Sequence, residues 1–287
     1  MKFVPVTLDL QHDFNNLLNN TSQIASDFSF ANVYGWAEVY GLQVAFDQGL
    51  AWIRQNKPCP LYWAPMGNWD VDWKKIIKNL SGPVKIVRVP ENLAIIWRKA
   101  LPEITIKSDR NHWDYLYSVA DLIALKGNRF HNKKNLYNQF IKNYEYSYVR
   151  LEKSYIEKAL ALQNQWCLWK ECEDSGPLEA ENHAIVRVFS RWDDLEGLFG
   201  AGLMVGEDMV AYTVAEALSE HHLVIHFEKG CPGHKGVYQA INKLFLENSA
   251  GNFEIVNREQ DLGDKGLKKA KESYNPLGYL KKFTAEL

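Results

Sequence analysis

The residues best equipped for chemistry sit in one stretch, Leu223–Phe245, LVIHFEKGCPGHKGVYQAINKLF. It reads as a strand, a glycine-rich basic loop and the first turns of an amphipathic helix. A helix start carries unpaired N–H groups and partial positive charge, so such a junction holds an anionic group without a metal. Gly230, Gly233 and Gly236 let the backbone turn and approach a ligand, Lys235 adds a point charge, and His234, Val237 and Tyr238 complete the junction. A phosphate-bearing ligand fits such a loop. An ordinary β-to-α connection fits too, and spacing alone favours it, because neither the P-loop nor the six-residue dinucleotide pattern is present. Within the strand, alternation sets Leu223, Ile225 and Phe227 on one face and His222, His226 and Glu228 on the other. Glu228, at the strand's end beside the loop, is the candidate general base or amine ligand. A solvent-exposed pairing with Lys229 or Lys235 is the equal alternative. His226 is a candidate proton carrier, since an imidazole titrates near neutrality, although a lone strand histidine is more often structural. A metal triad of His222, His226 and Glu228 is excluded, because strand positions four apart lie ~13 Å from each other. After the next predicted strand, Asn257, Arg258 and Asp261 emerge at the same sheet edge. Arg258 suits a bidentate carboxylate or phosphate contact and Asp261 an acceptor amine, while an ion pair of Arg258 with Glu259 or Asp261 is equally physical.

The elements that must position these groups are clearest in the second half. Strands are predicted over Tyr146–Leu151, Leu198–Val205, Met209–Ala217, Leu223–Glu228, Phe253–Val256 and Tyr279–Thr284. Helices are predicted over Ser154–Lys170, Ala184–Leu195, from the basic loop to about Asn248, and over Lys265–Ser273. The order is β-α-α-β-β-β-α-β-α-β. A looser copy fits the first half: strands at Phe3–Leu8, Leu42–Phe46, Leu50–Arg54, Leu61–Ala64, Val84–Val89 and Ile104–Lys107, with helices at Asp13–Leu18, Phe30–Tyr40, Trp69–Asn79 and Ala94–Ala100. Two halves with one order imply a duplication that has lost its sequence similarity. Short strands alternating with single helices imply an α/β chain of the α+β type, with mixed, mostly antiparallel sheets flanked by helices. The expected domains are 1–120, a connecting helix 121–145, and 146–287.

The 287 residues carry a formal net charge of −2, which excludes a generally basic nucleic-acid binder and leaves only a local patch for that role. Such a patch exists. Asp121–Asn143, DLIALKGNRFHNKKNLYNQFIKN, reads as a strand-to-helix turn running into a helix, and from Leu122 to Tyr144 it contains no acidic residue. Phe130, Tyr137, Ile141 and Tyr144 form a face to bury, while His131, Asn135, Asn138 and Lys142 fall on another. Lys126, Arg129, Lys133 and Lys134 make it basic. A solvated helix joining two domains is the bland reading, which charge alone favours; a ridge facing a polyanion is the sharper one. The four cysteines, Cys59, Cys167, Cys172 and Cys231, show no CxxC spacing and read as unpaired thiols of a reducing compartment. No signal-peptide pattern and no bilayer-spanning apolar run is visible, so a soluble, cytoplasmic protein is expected.

Three segments carry a family resemblance. WDYLYSVADLIALKGNRFHNKKNLYNQF (Trp113–Phe140) and NREQDLGDKGLKKAKESYNPLGYLKKF (Asn257–Phe283) resemble the signature and closing segments of the bacterial family that contains the C-terminal domain of phosphatidylglycerol lysyltransferases. SDFSFANVYGW (Ser26–Trp36) is similar to the N-terminal motif of its stand-alone soluble members. The resemblance implies a tandem pair of GNAT-like domains, an arrangement shared with the Fem-type aminoacyl transferases. It implies an acyltransferase, with an aminoacyl group passing from aminoacyl-tRNA to a hydroxyl or amine. It places Lys126, Arg129, His131, Lys133, Lys134 and Asn135 on a tRNA or polyanion ridge at the domain junction. Gly266, Leu267, Lys268 and Lys271 fall on a closing helix near the donor channel, and Tyr238, Lys268 and Lys271 flank the donor. In ordinary GNAT enzymes the loop at 230–236 holds the pyrophosphate of an acyl-CoA, and CPGHKG keeps only part of that pattern. The 287 residues contain no membrane-spanning flippase-like region. The expected co-substrate is therefore aminoacyl-tRNA or acyl-CoA, with no permanently bound cofactor and no metal. The expected acceptor is a small molecule or a lipid headgroup. With no GxSxG elbow and no plausible nucleophilic cysteine, direct transfer in a ternary complex is preferred to a covalent intermediate. The alternatives are an acyl-CoA-dependent N-acyltransferase and a GNAT-like ligand-binding protein without turnover.

Overall fold

The computed structural model describes residues 1–80 and 84–287. The first repeat runs β1 (Val4–Pro5), α1 (Gln11–Leu18), α2 (Phe30–Tyr40), β2 (Gln43–Asp47), β3 (Leu50–Gln55), β4 (Leu61–Gly67), α3 (Trp73–Lys78), β5 (Lys85–Pro90), α4 (Glu91–Ala100) and β6 (Thr105–Ser108). A bridge follows: β7 (Asp114–Ser118), α5 (Val119–Ala124) and α6 (His131–Asn143). The second repeat runs β8 (Tyr146–Arg150), α7 (Lys153–Lys170), α8 (Gly176–Phe189), β9 (Leu198–Val205), β10 (Asp208–Ala217), β11 (His222–Gly230), α9 (Val237–Ser249), β12 (Ile255–Asn257), α10 (Lys265–Glu272) and β13 (Gly278–Leu280), and the chain closes with β14 (Lys282–Glu286).

The duplicated order is thus present, and the sheets show what periodicity could not. One seven-stranded sheet is ordered β1-β2-β3-β4-β5-β14-β6, the other β13-β7-β12-β11-β10-β9-β8. Read from opposite ends, these are the same sheet, with β4–β5 and β11–β12 the matching parallel pairs among antiparallel neighbours. Each sheet takes the seventh strand of the other repeat: β14 lies between β5 and β6, and β7 pairs with β12. Two compact units result, Met1–Asp114 with Gln260–Lys265 and Tyr279–Leu287, and Tyr115–Glu259 with Gly266–Gly278. Where contiguous domains of 1–120 and 146–287 were expected, both units are discontinuous.

Several boundaries move for local reasons. The expected strand Tyr279–Thr284 is two strands in different sheets, parted at Lys281. The expected connecting helix 121–145 breaks into α5 and α6, because Leu125 (φ 45°) and Gly127 (φ 84°) take left-handed conformations. The expected helix at Ala184–Leu195 begins at Gly176, with a proline in its first turn, and ends at Phe189. Cys167 and Cys172, expected as separate thiols, form a disulfide. Glu171 (φ 52°) ends α7 in a left-handed turn that returns Cys172 to a Cα distance of 5.0 Å from Cys167.

Aromatic residues fill the first unit: Trp52, Trp63, Trp73, Trp97, Phe14, Phe28 and Phe30 are fully buried. Beside them lies a buried charge cluster that sequence reasoning missed. The Lys282 ammonium pairs with Asp27 and, at 2.6 Å, with Asp114. Arg88 also pairs with Asp27 and stacks 3.6 Å over the Trp63 ring. The Ser26 hydroxyl donates to Asp114 at 2.8 Å. Burial opposes ionisation of Asp27, but Arg88 and Lys282 override it and hold that carboxyl well below its usual range. All three family-like segments contribute to this cluster, so part of the signature they carry is architectural.

Candidate functional site

In the second unit the parallel pairing of β11 and β12 runs only from His222–Ile255 to Val224–Asn257. Beyond that β12 ends, whereas β11 continues to Gly230, so the two strands stop sharing backbone hydrogen bonds. Side chains occupy the opening. The register of β10 against β11 changes there as well: Val214 faces Phe227 and Ala215 faces Ile225, leaving His226 as an extra residue in a bulge. Because Val214 and Ala215 point to opposite faces, so do Phe227 and Ile225. This corrects the expected alternation. Leu223, Ile225 and Glu228 share the face covered by α9, and Phe227 lies on the other.

On the α9 face, Glu228 receives 2.7 Å and 3.1 Å hydrogen bonds from Arg258 Nη2 and Asn242 Nδ2. The exposed pairing of Glu228 with Lys229 or Lys235 is not what the structure has, and Arg258 pairs with neither Glu259 nor Asp261. Both partners are largely buried, 8% and 13% exposed. The Arg258 guanidinium lies 4.8 Å over Tyr274 and 5.8 Å over Tyr117, and its Nη1 is buried without a hydrogen-bond partner. Gln239 donates to the Tyr274 hydroxyl at 3.1 Å. Lys271 reaches back from α10 to the Arg258 carbonyl at 2.6 Å, and the Tyr117 hydroxyl donates to the Lys271 carbonyl at 2.8 Å. Lys133, from the first turn of α6, stands 3.9 Å over the Tyr274 ring. Partial burial and the charge of Arg258 lower its pKa to about 8.

The opposite face holds His226. Its Nδ1 lies 2.9 Å from Glu259 and its Nε2 3.2 Å from Glu216. Burial disfavours the imidazolium, yet the two carboxylates prevail and raise the pKa to about 9. His226 is therefore a fixed cation at neutral pH, with both ring nitrogens engaged and the sheet between it and Glu228. Alongside, Lys229 pairs with Glu181 at 2.7 Å over the Trp166 ring, and Trp166 donates to the Tyr238 hydroxyl at 3.0 Å.

The glycine-rich loop packs onto α6. Gly236 (φ 86°) caps α9, and a Cβ there would come within 2.0 Å of the Leu136 carbonyl. Gly233 and Lys235 bond the Tyr144 hydroxyl through backbone groups, and the His234 ring lies 4.7 Å from that of Tyr144. The N–H groups of His234, Lys235 and Val237 are thus already used, by Cys231, Tyr144 and His234 respectively. On the ridge, Lys126, Arg129, His131, Lys134 and Asn135 are exposed and only Lys133 turns inward. Arg129 pairs with Asp121 at 2.7 Å, and Asn275 donates to the Arg129 carbonyl at 3.1 Å. Gly266, Leu267 and Lys268 are exposed on α10. Asp261 belongs to the first unit, where it is buried, pairs with Arg110 at 3.2 Å and accepts from the Gly263 N–H at 2.9 Å. The structure thus gathers Glu228, Arg258, Lys133 and Lys271, with Asn242, Gln239, Tyr274 and Tyr117 added to the set that the sequence suggested. A depression of 490 Å³ lined by Arg150, Glu152, Phe199, Glu247 and Asn248 lies elsewhere, where β9 begins. Among the described residues no cluster of metal-ligating side chains is present, and no helix is long and apolar enough to cross a membrane.

Comparison with known proteins places this arrangement. A crystal structure of a conserved protein of unknown function from Bacteroides thetaiotaomicron is 28% identical, superposes with a TM-score of 0.92, and is covered to 99% by 100% of this chain. An uncharacterised protein of Mycoplasmoides gallisepticum is 22% identical over 95% of this chain and 96% of its own length. L-PGS from Bacillus licheniformis, at 11% identity, shares the fold with a TM-score of 0.66 over 96% of this chain and 90% of that one. The family model for the C-terminal part of phosphatidylglycerol lysyltransferase matches residues 19–286. With two repeats, each built on a mixed sheet flanked by helices, the chain belongs to that family.

Proposed function

We propose that the protein transfers an aminoacyl group from aminoacyl-tRNA to an amine or hydroxyl acceptor. One observation carries the choice of donor: the exposed basic stretch Lys126–Lys134 runs into the opening between β11 and β12, where Lys133 turns inward onto Tyr274 beside Arg258. A polyanion tracking that stretch would bring its terminus to the Glu228–Arg258 pair. The loop at 231–236 supports the choice from the other side, since the N–H groups of Cys231, His234 and Lys235 are spent within the protein and are not offered to a coenzyme A pyrophosphate.

In the proposed reaction the acceptor's lone pair attacks the ester carbonyl. The bond to the terminal ribose oxygen breaks, and the acceptor's proton ends on that oxygen. Glu228, doubly hydrogen-bonded, acts by fixing Arg258 and by attracting a substrate ammonium rather than by proton abstraction. The test is to incubate the protein with microhelices ending in CCA and charged with labelled amino acids, and to follow ester loss and capture of label by hydroxylamine and by a panel of amines, alcohols and lipid headgroups. Protein-dependent capture that Arg258→Lys reduces at least tenfold is expected. No acceleration with any charged microhelix, together with turnover of acetyl-CoA, would reverse the choice of donor.

A further inference from the structure

We propose that Lys133 and the Nη1 arm of Arg258 form a phosphate subsite, which receives the phosphodiester next to the terminal ribose of the donor. The inference rests on the aminoacyl-tRNA reading and deepens it. Three cations gather here, Lys133 and Arg258 over the Tyr274 ring and Lys271 against the Arg258 carbonyl, and the Glu228 carboxylate pairs with Arg258. Two of them are committed: Arg258 gives Nη2 to Glu228, and Lys271 gives its ammonium to the Arg258 carbonyl. Lys133 has no carboxylate within ion-pair distance among the described residues; its half-buried ammonium rests on the Tyr274 ring. Arg258 Nη1 is buried and bonded to nothing. Buried donors are ordinarily paired, and a partly buried cation facing a second cation is costly. Both defects vanish with one anion whose two oxygens meet Nζ and Nη1, which is the shape of a phosphodiester.

The exposed residues outside identify the source of that phosphate. Lys126, in the turn before α6, and Lys134, next to Lys133 in its first turn, are exposed, and a lone phosphate or carboxylate at Lys133 would leave them unused. A chain of phosphates that ends at Tyr274 uses all of them. Aromatic faces at the end of a phosphate track also suit the terminal base or ribose.

The test compares two CCA-ending microhelices, one natural and one whose last phosphodiester is an uncharged methylphosphonate. The methylphosphonate is expected to weaken binding to the wild-type protein about tenfold or more. Lys133→Gln is expected to weaken the natural microhelix by a similar factor and the methylphosphonate one hardly at all, with Lys133→Arg retaining most of the affinity. The salt dependence of log K should flatten by about one unit in Lys133→Gln. Equal losses on both microhelices, or no loss on either, would overturn the subsite while leaving microhelix binding and transfer intact. Coenzyme A binding that Lys133→Gln abolishes, with the microhelix unaffected, would hand the pair to a pyrophosphate instead. If the wild-type protein binds no microhelix, the donor reading falls, and the subsite with it.

Discussion

At the scale of single residues, the opening between β11 and β12 is organised by which charges neutralise which. Removing one partner of a buried pair leaves the other uncompensated, so Glu228→Ala should cost on the order of 3 kcal/mol in urea unfolding, and adding Arg258→Met should return most of it. His226 makes a separate, pH-dependent contribution. Its folded pKa of about 9 exceeds the ordinary 6.5, so its stabilisation is complete below pH 6.5 and is lost as pH rises through 9. The loss should amount to on the order of 3 kcal/mol, read as a fall in the urea midpoint between pH 6.5 and 9.5 that His226→Gln flattens. The comparison with that variant is essential, because Lys133, with a pKa lowered to about 8, acts in the opposite direction above pH 8. An unchanged slope in His226→Gln would show that the Glu216–His226–Glu259 contacts do not persist in solution. Glu228, Arg258 and Lys133 were all legible from type and position in the sequence. Their partners were not, because pairing depends on register between strands: one bulged residue puts His226 and Glu228 on opposite faces of the sheet.

At the scale of elements, what the sequence made legible is what is written locally. The order of strands and helices in both repeats follows from periodicity and turn residues, and the structure reproduces it. Single-residue events escaped: the bulge at His226, the break at Leu125–Gly127, and the division of the closing segment at Lys281. The glycine loop illustrates the same limit. Its sequence suggested an anion cradle, whereas Gly236 is also needed so that α9 can begin directly against the Leu136 carbonyl of α6. Gly236→Ala would set a Cβ 2.0 Å from that oxygen at φ 86°. The substitution should cost at least about 2 kcal/mol, through clash and left-handed strain together. Hydrogen exchange should locate the loss at the facing turns of α6 and α9, with β9 and β10 keeping their protection. A cost below 1 kcal/mol would mean that α6 is not seated on α9 as described, and the path from ridge to cleft would lose its support.

At the scale of the whole molecule, duplication with exchange of the seventh strand explains why the first and last parts of the chain depend on each other. β14 lies between β5 and β6, so the first sheet is incomplete until residues after 281 have been made. Lys282 begins that strand and meets Asp27 and Asp114, residues far away in sequence and entirely buried. Ion pairing overrides the opposing effect of burial and holds Lys282 above, and Asp27 below, their ordinary pKa values. Stability from Asp27 is therefore present above its ordinary pKa of 3.8 and fades as pH falls below it, while that from Lys282 is present below its ordinary 10.5 and fades as pH rises through the higher folded value. Across the neutral range the cluster should be constant, in contrast to His226. Replacing the ammonium while keeping the carboxylates leaves Asp114 buried without its cation, beside an Asp27 neutralised by Arg88 alone. Lys282→Met should cost on the order of 4 kcal/mol, and Asp114→Asn in the same chain, which leaves Asp27 paired with Arg88, should recover a large part of it. Amide exchange should quicken in β5, β6 and β14, while β9, β10 and β11 of the other unit remain protected. Equal loss in both units would mean that strand exchange has merged them into one cooperative body. A change smaller than 1 kcal/mol would mean that packing of β14, and not its charge, closes the first sheet.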